Sequence, residues 1–335
     1  MLPATPRSTD EKPKEEPEMS KPLEPTLDAL PNPLLRYFAA TRPAFLSVTF
    51  VGCLLGLATA AFSGIPIGPA LATATLFFAL VAHAGANVIN DYYDALSGCD
   101  GANTERQFPF TGGSRFIQNG VLSLRATGIF GYALLAAVVP AGLWLAAVSA
   151  PELMLIGLAG LVVGWAYSAP PLKLQSRGLG EFAITAGWLL VVIGSDFVQR
   201  HGFAFVSVAA GLGFALLVAN VLYINQFPDV KADAAAGKNT VVVRLGVARA
   251  RWGYALIAAL AYGWPLSMVL LGRLPATTLV ALLPAAASIA AARQLWSRAG
   301  QPAQLTPALK LTILAASAHG LLLAILLVMP WNRVS

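Results

Sequence analysis

Residues 87–100 read NVINDYYDALSGCD, and they close an apolar run that begins near residue 68. The run decides the fold, because some twenty apolar residues are what a helix needs to cross about 30 Å of hydrocarbon. The acids at its end, Asp91, Asp94 and Asp100, point to function, since carboxylates at a membrane boundary are costly unless engaged. At 3.6 residues per turn Asn87, Asp91 and Asp94 share one helical face. A second run ends the same way, in Asn225, Asp229 and Asp233.

The rest of the chain supports a membrane setting. Of 335 residues 57% are hydrophobic and 11% charged, too few charges to cover a soluble globule. Of the 16 acids seven lie before residue 30 and five lie in the two clusters, leaving Glu105, Glu152, Glu181 and Asp196. Cys53 and Cys99 fit neither a disulfide framework nor a thiolate metal site and read as incidental. Residues 1–34 carry eight prolines and charges of both signs, so we expect a disordered cytoplasmic tail. It has no apolar core of a signal peptide. Residues 35–335 form the expected membrane domain.

From Pro43 onward nine apolar runs follow, at about 44–62, 68–90, 126–148, 153–169, 179–199, 203–226, 252–272, 276–296 and 309–330. Lipid admits only helices or closed barrels, and uninterrupted runs exclude the alternating barrel pattern. The expected fold is therefore all-α, a polytopic membrane protein of nine transmembrane helices. If the loops alternate sides, one face holds 19 of the 22 Lys and Arg, leaving Arg200, Arg273 and Arg333 opposite. The positive-inside rule then makes the N-terminus and both acidic clusters cytoplasmic and the C-terminus external.

Each cluster has a basic, glycine-bearing entourage. After Asp100 come Arg106 and FPFTGGSR, ending at Arg115; around the second cluster lie Lys231, Lys238, Asn239 and Arg244; between them YSAPPLKLQSR adds Tyr167, Lys173 and Arg177. Pro228 is expected to kink or restart the sixth helix, with Asp229 and Asp233 on one face of the segment that follows. The shared Asn-x-x-x-Asp ending of the second and sixth runs hints at an internal duplication. Carboxylates and amide oxygens converging beside basic groups suit Mg²⁺ bridging to a phosphorylated ligand. Lys and Arg would take the remaining phosphate oxygens. No Cys and His cluster calls for zinc, copper or haem.

Other polar residues in the runs read as structural. Asn220 is expected to be interhelical glue, and His83 is read as a packed neutral ring, with a place in the cavity of Asn87 as its alternative. His201 and His319 have no partner visible in the sequence. Asp196 lies near the outer end of the fifth run and stays outside the site. Trp188, Trp264, Trp296 and Trp331 fit interfacial belts or lipid contacts at least as well as substrate stacking.

NDYYDALSGCD and DVKAD together resemble the two aspartate-rich motifs of the UbiA-type intramembrane prenyltransferases, over residues 35–330. TGGSR at 111–115 and GKNTVVVRLG at 237–246 resemble most the branch acting on 1,4-dihydroxy-2-naphthoate in menaquinone biosynthesis. The resemblance implies nine helices around a central cavity capped by cytoplasmic loops, in the bacterial inner membrane. A polyprenyl diphosphate would lie with its head at two Mg²⁺ ions and its tail in an apolar tunnel, and an aromatic acceptor would attack it. Asp91, Asp94, Asp229 and Asp233, with Asn87 and Asn225, would hold metal. Arg115, Tyr167, Lys173, Arg177, Lys238 and Arg244 would bind substrate, with Asp100 undecided between metal ligand and loop anchor. The bilayer is the only other partner, and no nucleic acid is expected. Other acceptors such as 4-hydroxybenzoate, and an ion-coupled transporter with paired acids, are the alternatives.

Overall fold

Hydrocarbon offers no partner to a backbone N–H or C=O, so apolar runs of this length close their hydrogen bonds within helices. The structure, a computed structural model, describes residues 23–330, and among the described residues all regular structure is helical. The α-helices are α1 (Pro33–Ala40), α2 (Pro43–Phe62), α3 (Pro69–Leu96), α4 (Cys99–Ala102), α5 (Leu124–Val148), α6 (Leu153–Ser168), α7 (Gly180–Arg200), α8 (Phe205–Ala235), α9 (Val241–Leu245), α10 (Val247–Leu270), α11 (Ala285–Arg298) and α12 (Thr306–Val328). Three short 3-10 turns join them.

Each expected run finds its helix. Eight segments among the described residues are long and apolar enough to cross a membrane, and the protein is an integral membrane protein. The eighth run arrives in two pieces, a 3-10 turn at Ala276–Leu282 and then α11. The fourth run forms α6, at 16 residues shorter than the other spans. At 1.5 Å per residue it reaches about 24 Å, so the count of nine rests on this one short helix.

The restart, one of the two outcomes expected at Pro228, does not occur. Helix α8 runs through it to Ala235, with Phe227 and Pro228 buried. Packing of α8 against α2, α7, α10 and α12 supplies tertiary burial that outweighs the loss of one backbone donor. Phe214 at the centre of α8 joins Leu55 of α2, Val192 of α7 and Leu323 of α12 in one apolar cluster. Tyr223 and Phe227 join Tyr254 of α10 and Leu309 of α12 in another. The backbones meet closely at small residues, as in other membrane bundles. A Cβ on Gly213 of α8 would lie 2.6 Å from the Ala261 carbonyl of α10, and one on Gly56 would strike the Val192 carbonyl of α7.

Polar side chains inside the bundle are paired across helices. Asn220 Nδ2 donates to Tyr254 O at 3.2 Å, the interhelical role expected for it. His319 Nδ1 lies 2.7 Å from Ala281 O. Trp264 Nε1 donates to Ala209 O at 2.9 Å, so this indole joins helices rather than marking an interface. Trp331 lies outside the described residues.

At the end of the bundle opposite the acidic clusters, Asp196 has a partner. It is 1% exposed, receives Arg200 Nε at 2.7 Å and Nη2 at 2.8 Å, and accepts a 2.8 Å bond from Thr59 Oγ1. Arg200 Nη2 also reaches Thr59 O and Ser63 Oγ, and Gln199 Oε1 accepts from Gly68 N at 2.8 Å. The ends of α2, α3 and α7 are thereby tied together.

Residues 1–22 of the expected tail lie outside the described residues. Residues 23–32 lie along the body, where Pro25 is buried and Glu24 pairs with Arg106. Disorder was expected from composition, which does not register one carboxylate facing two arginines.

Candidate active site

The two acidic helix ends meet. Asp91 and Asp94 close α3, Asp229 and Asp233 close α8, and Lys238 stands between them with Nζ 2.8 Å from Asp94 Oδ1 and 3.7 Å from Asp233 Oδ1. The lysine is placed there by the chain turning back immediately after α8: Gly237 takes a positive φ of 72°, and Lys238 N bonds to Asp233 O at 2.8 Å. Burial alone would lower the ammonium pKa, but Asp94 and Asp233 outweigh it and hold it well above the usual lysine value.

Each carboxylate has further donors. Asp94 accepts from Asn90 Nδ2 at 3.1 Å and from Gln175 Nε2 at 3.0 Å; Asp233 from Cys99 Sγ at 3.2 Å; Asp229 from Asn103 Nδ2 at 2.6 Å; Asp91 from the Ser114 backbone N–H at 3.2 Å. Cys99, read from sequence as incidental, is therefore part of the site. Its thiol pKa is pushed up by burial and, despite Lys238, by neighbouring carboxylates.

The segment from Gly98 to Ser123 forms a cap over these acids. Gly112 and Gly113 hold positive φ of 77° and 73°, and the Asp100 carboxylate sits where a Gly113 Cβ would be. Arg115, also at positive φ, donates through Nη1 to Asp100 O at 2.5 Å, and so anchors the loop instead of facing the cavity. Burial first, then Asp94 and Asp91, push the Asp100 pKa well above the carboxylate range. Its Oδ2 is buried without a hydrogen-bond partner among the described residues, as is Asn225 Oδ1.

Beneath the cap lies a cavity of about 450 Å³. Its polar end carries Asn87, Asn90, Asp94, Asp100, Asn103, Gln175, Asn225, Asp229, Asp233 and Lys238. Its other walls are small or apolar, with Ala82 and Ala86 of α3, Gly160 and Gly164 of α6, Ala183 and Gly187 of α7, and Val218 and Leu222 of α8. Tyr167, His83 and Trp188 also line it; His83 Nδ1 is 2.8 Å from Thr49 Oγ1 and its ring meets Trp188 edge-on at 4.9 Å. Of the two places allowed for Trp188, belt or cavity, the structure gives the cavity.

Of the residues singled out in the sequence, Asn87, Asp94, Tyr167, Asn225, Asp229, Asp233 and Lys238 line the cavity. Asn87 Nδ2 donates to Thr41 O at 3.1 Å and Asn225 Nδ2 to Phe110 O at 3.4 Å. Asp91 stands beside Asp94 without lining the cavity. Lys173, Arg177 and Arg244 are exposed and away from it. Arg244 donates to Asn239 O and Arg177 O, each at 2.8 Å, and Arg177 donates to Pro171 O at 2.7 Å, so these arginines brace neighbouring loops.

Sequence reasoning missed Arg42, Asn90, Asn103 and Gln175. Arg42 caps α2 in the left-handed region, with φ of 59°, and lines the cavity beside Phe45, 4.3 Å from the ring centroid. Its hydrogen bonds, to Pro109 O and Phe110 O, are both 3.4 Å long. Asn90 could have been found from its four-residue spacing to Asp94. Gln175 lies 81 residues from Asp94, and nothing local signals it.

The donor set fits Mg²⁺. It is made of carboxylate and amide oxygens, hard ligands of the kind that cation prefers, and two of its buried oxygens lack a partner. Lys238 now occupies the space between the two acidic ends, with the charge a cation there would otherwise supply.

Comparison with known proteins bears on the family and the fold. The UbiA prenyltransferase family matches residues 49–314. The 1,4-dihydroxy-2-naphthoate octaprenyltransferase of Bacillus subtilis (strain 168) is 28% identical over 300 residues, 88% of this chain and 92% of that protein. The enzyme of the same name from Escherichia coli (strain K12) is 29% identical over 223 residues, 64% of this chain and 70% of that protein. Among solved structures, a UbiA homolog from Archaeoglobus fulgidus bound to DMAPP and Mg²⁺ superimposes with a TM-score of 0.60, at 17% identity, over 87% of this chain and 99% of that one.

Proposed function

The chain belongs to the UbiA prenyltransferase family, and from that membership we propose that it transfers a polyprenyl group from a polyprenyl diphosphate to 1,4-dihydroxy-2-naphthoate, a step in making menaquinone. The observation that carries this reading is the junction of two acidic helix ends, through Lys238, at the polar end of an otherwise apolar cavity. The end-to-end likeness to the Bacillus subtilis octaprenyltransferase supports the acceptor.

In this reading Asp91, Asp94, Asp229 and Asp233, with Asn87 and Asn225, hold Mg²⁺, and Asp100 is a further oxygen donor on the same wall. Bound there, Mg²⁺ screens the diphosphate charge and makes it a better leaving group. Lys238 turns from the carboxylates to the diphosphate, and Arg42, whose own hydrogen bonds are long, offers the second cation facing the cavity. Positive charge already fixed where the leaving group forms is the most effective electrostatic help a site can give.

The apolar wall takes the prenyl tail. It also keeps water from the allylic cation that forms when the C–O bond breaks. The bond's electron pair leaves with diphosphate; the acceptor ring forms the new C–C bond at the carbon bearing its carboxylate, which departs as carbon dioxide. Residues 35–335 act as one membrane domain, with α6 as the ninth span. The N-terminus and cap face the cytoplasm across the bacterial inner membrane, and the C-terminus faces outward.

The test is to incubate membranes containing the protein with radiolabelled polyprenyl diphosphate, Mg²⁺ and a panel of aromatic acceptors. Prenylated naphthoquinol from the dihydroxynaphthoate, and none from 4-hydroxybenzoate, is expected. Product only from another acceptor would overturn the acceptor, and no lipid product from any acceptor would overturn the transferase reading.

A further inference from the structure

We propose that Glu24, ahead of the first membrane helix, is a positioning residue that sets Asp229 through Arg106 and Asn103. Glu24 Oε1 receives Arg106 Nε at 2.7 Å and Nη2 at 2.6 Å. Its Oε2 accepts from Asn119 Nδ2 at 3.2 Å and stands 3.6 Å from Arg115 Nε. One carboxylate therefore closes both ends of the cap segment between Arg106 and Asn119. Asn119 also bonds to the carbonyl of the buried Pro25, which fixes the backbone beside Glu24.

The connection continues inward. Arg106 Nη1 donates to Asn103 O at 2.6 Å, and Asn103, 3% exposed, donates through Nδ2 to Asp229 Oδ1 at 2.6 Å. The stem of Arg106 packs on Gly112, where an added Cβ would be 2.6 Å from Arg106 Cβ. The Arg106 contacts to Glu24 are charge-assisted hydrogen bonds, stronger than neutral ones, and Arg115 adds an ion pair at longer range. Glu24 precedes residue 49, where the family match begins, whereas Arg106, Asn119 and Asp229 lie within the matched residues.

Asp229 matters here because of the function proposed above, so the inference rests on that reading for its catalytic consequence. Its structural content does not, and the experiment separates the two. Full-length protein in nanodiscs is compared with Glu24→Ala and Glu24→Asp. The first readout is hydrogen exchange of residues 101–119 and 229–238 without substrate, across a Mg²⁺ titration. The second is kcat and KM for the prenyl donor.

Loss of one partly exposed charge-assisted cluster is expected to raise exchange of the cap about tenfold in Glu24→Ala. The Mg²⁺ concentration that half-protects residues 229–238 should rise about fivefold. The donor KM should rise by a similar factor while kcat stays within about twofold, because the loop must then be ordered by substrate. Glu24→Asp should recover part of the cap protection and of the Mg²⁺ response, since it keeps the carboxylate that Arg106 and Asn119 donate to. Unchanged exchange in Glu24→Ala would overturn the strap. Raised cap exchange with an unchanged Mg²⁺ midpoint and KM would overturn its action on Asp229. Loss of transfer in unaltered protein would count against the proposed function alone, since the Mg²⁺ midpoint still decides the positioning role.

Discussion

Replacing Lys238 with methionine keeps most of the side-chain length and removes the charge between the acidic helix ends. Removing one member of a buried ion pair costs about 3–5 kcal/mol, because the remaining charge stays desolvated. Asp94 keeps Asn90 and Gln175 as donors and Asp233 keeps Cys99, so the low end, about 3 kcal/mol, is the expected loss. The ammonium and a divalent cation compete for the same carboxylates, so linkage requires the lost energy to reappear as tighter cation binding, up to about 100-fold. The assay is thermal denaturation of the purified protein in detergent, without substrate, across Mg²⁺ concentrations. Lys238→Met should melt well below the parent in chelator, and Mg²⁺ should narrow the gap, acting at lower concentration on the variant. A gap that stays constant at every Mg²⁺ concentration would refute the placement of a metal between Asp94 and Asp233.

Asp91→Ala and Asp229→Ala should each lower Mg²⁺-dependent prenyl transfer at least about 100-fold while the protein remains in the membrane, checked by product formation per folded molecule. Lys173→Ala, altering an exposed residue away from the cavity, should leave the donor KM within about twofold. Gly113→Ala should displace the cap, since its Cβ would overlap the Asp100 carboxylate at a φ of +73°, and proteolysis within residues 100–115 should accelerate about tenfold. Asp196→Ala strands Arg200 and should destabilise the protein by about 3 kcal/mol or more in chemical denaturation, with transfer per folded molecule retained.

The helices were legible because hydrophobic length is a local property: Pro43–Phe62 and Phe205–Ala235 begin within two residues of their expected positions. The acidic faces were legible for the same reason, since a four-residue spacing fixes which side chains share a helix face. Loop residues carried no such constraint. Lys173, Arg177 and Arg244 have the right charge in the right loops, yet Arg177 and Arg244 bind backbone carbonyls outside the cavity, whereas Lys238 alone of the proposed loop cations turns inward. The restart allowed for at Pro228 weighed a local cost without the packing that surrounds α8. Glu24 was hidden in a composition typical of disorder, and its partners Arg106 and Asn119 lie more than 80 residues away.

The ion pair of Asp196 and Arg200, with Gln199 beside it, acts on the motion of the bundle more than on its chemistry. Through Thr59, Ser63 and Gly68 it joins the ends of α2, α3 and α7 that lie farthest from the acidic clusters. Helix α7 spans 21 residues, about 31 Å, and a rotation of about 5° there displaces its far end by nearly 3 Å. That is the width of one ordered water layer at the acidic end. A small angular change at the tied end is thus read at the acidic end as a displacement of molecular size.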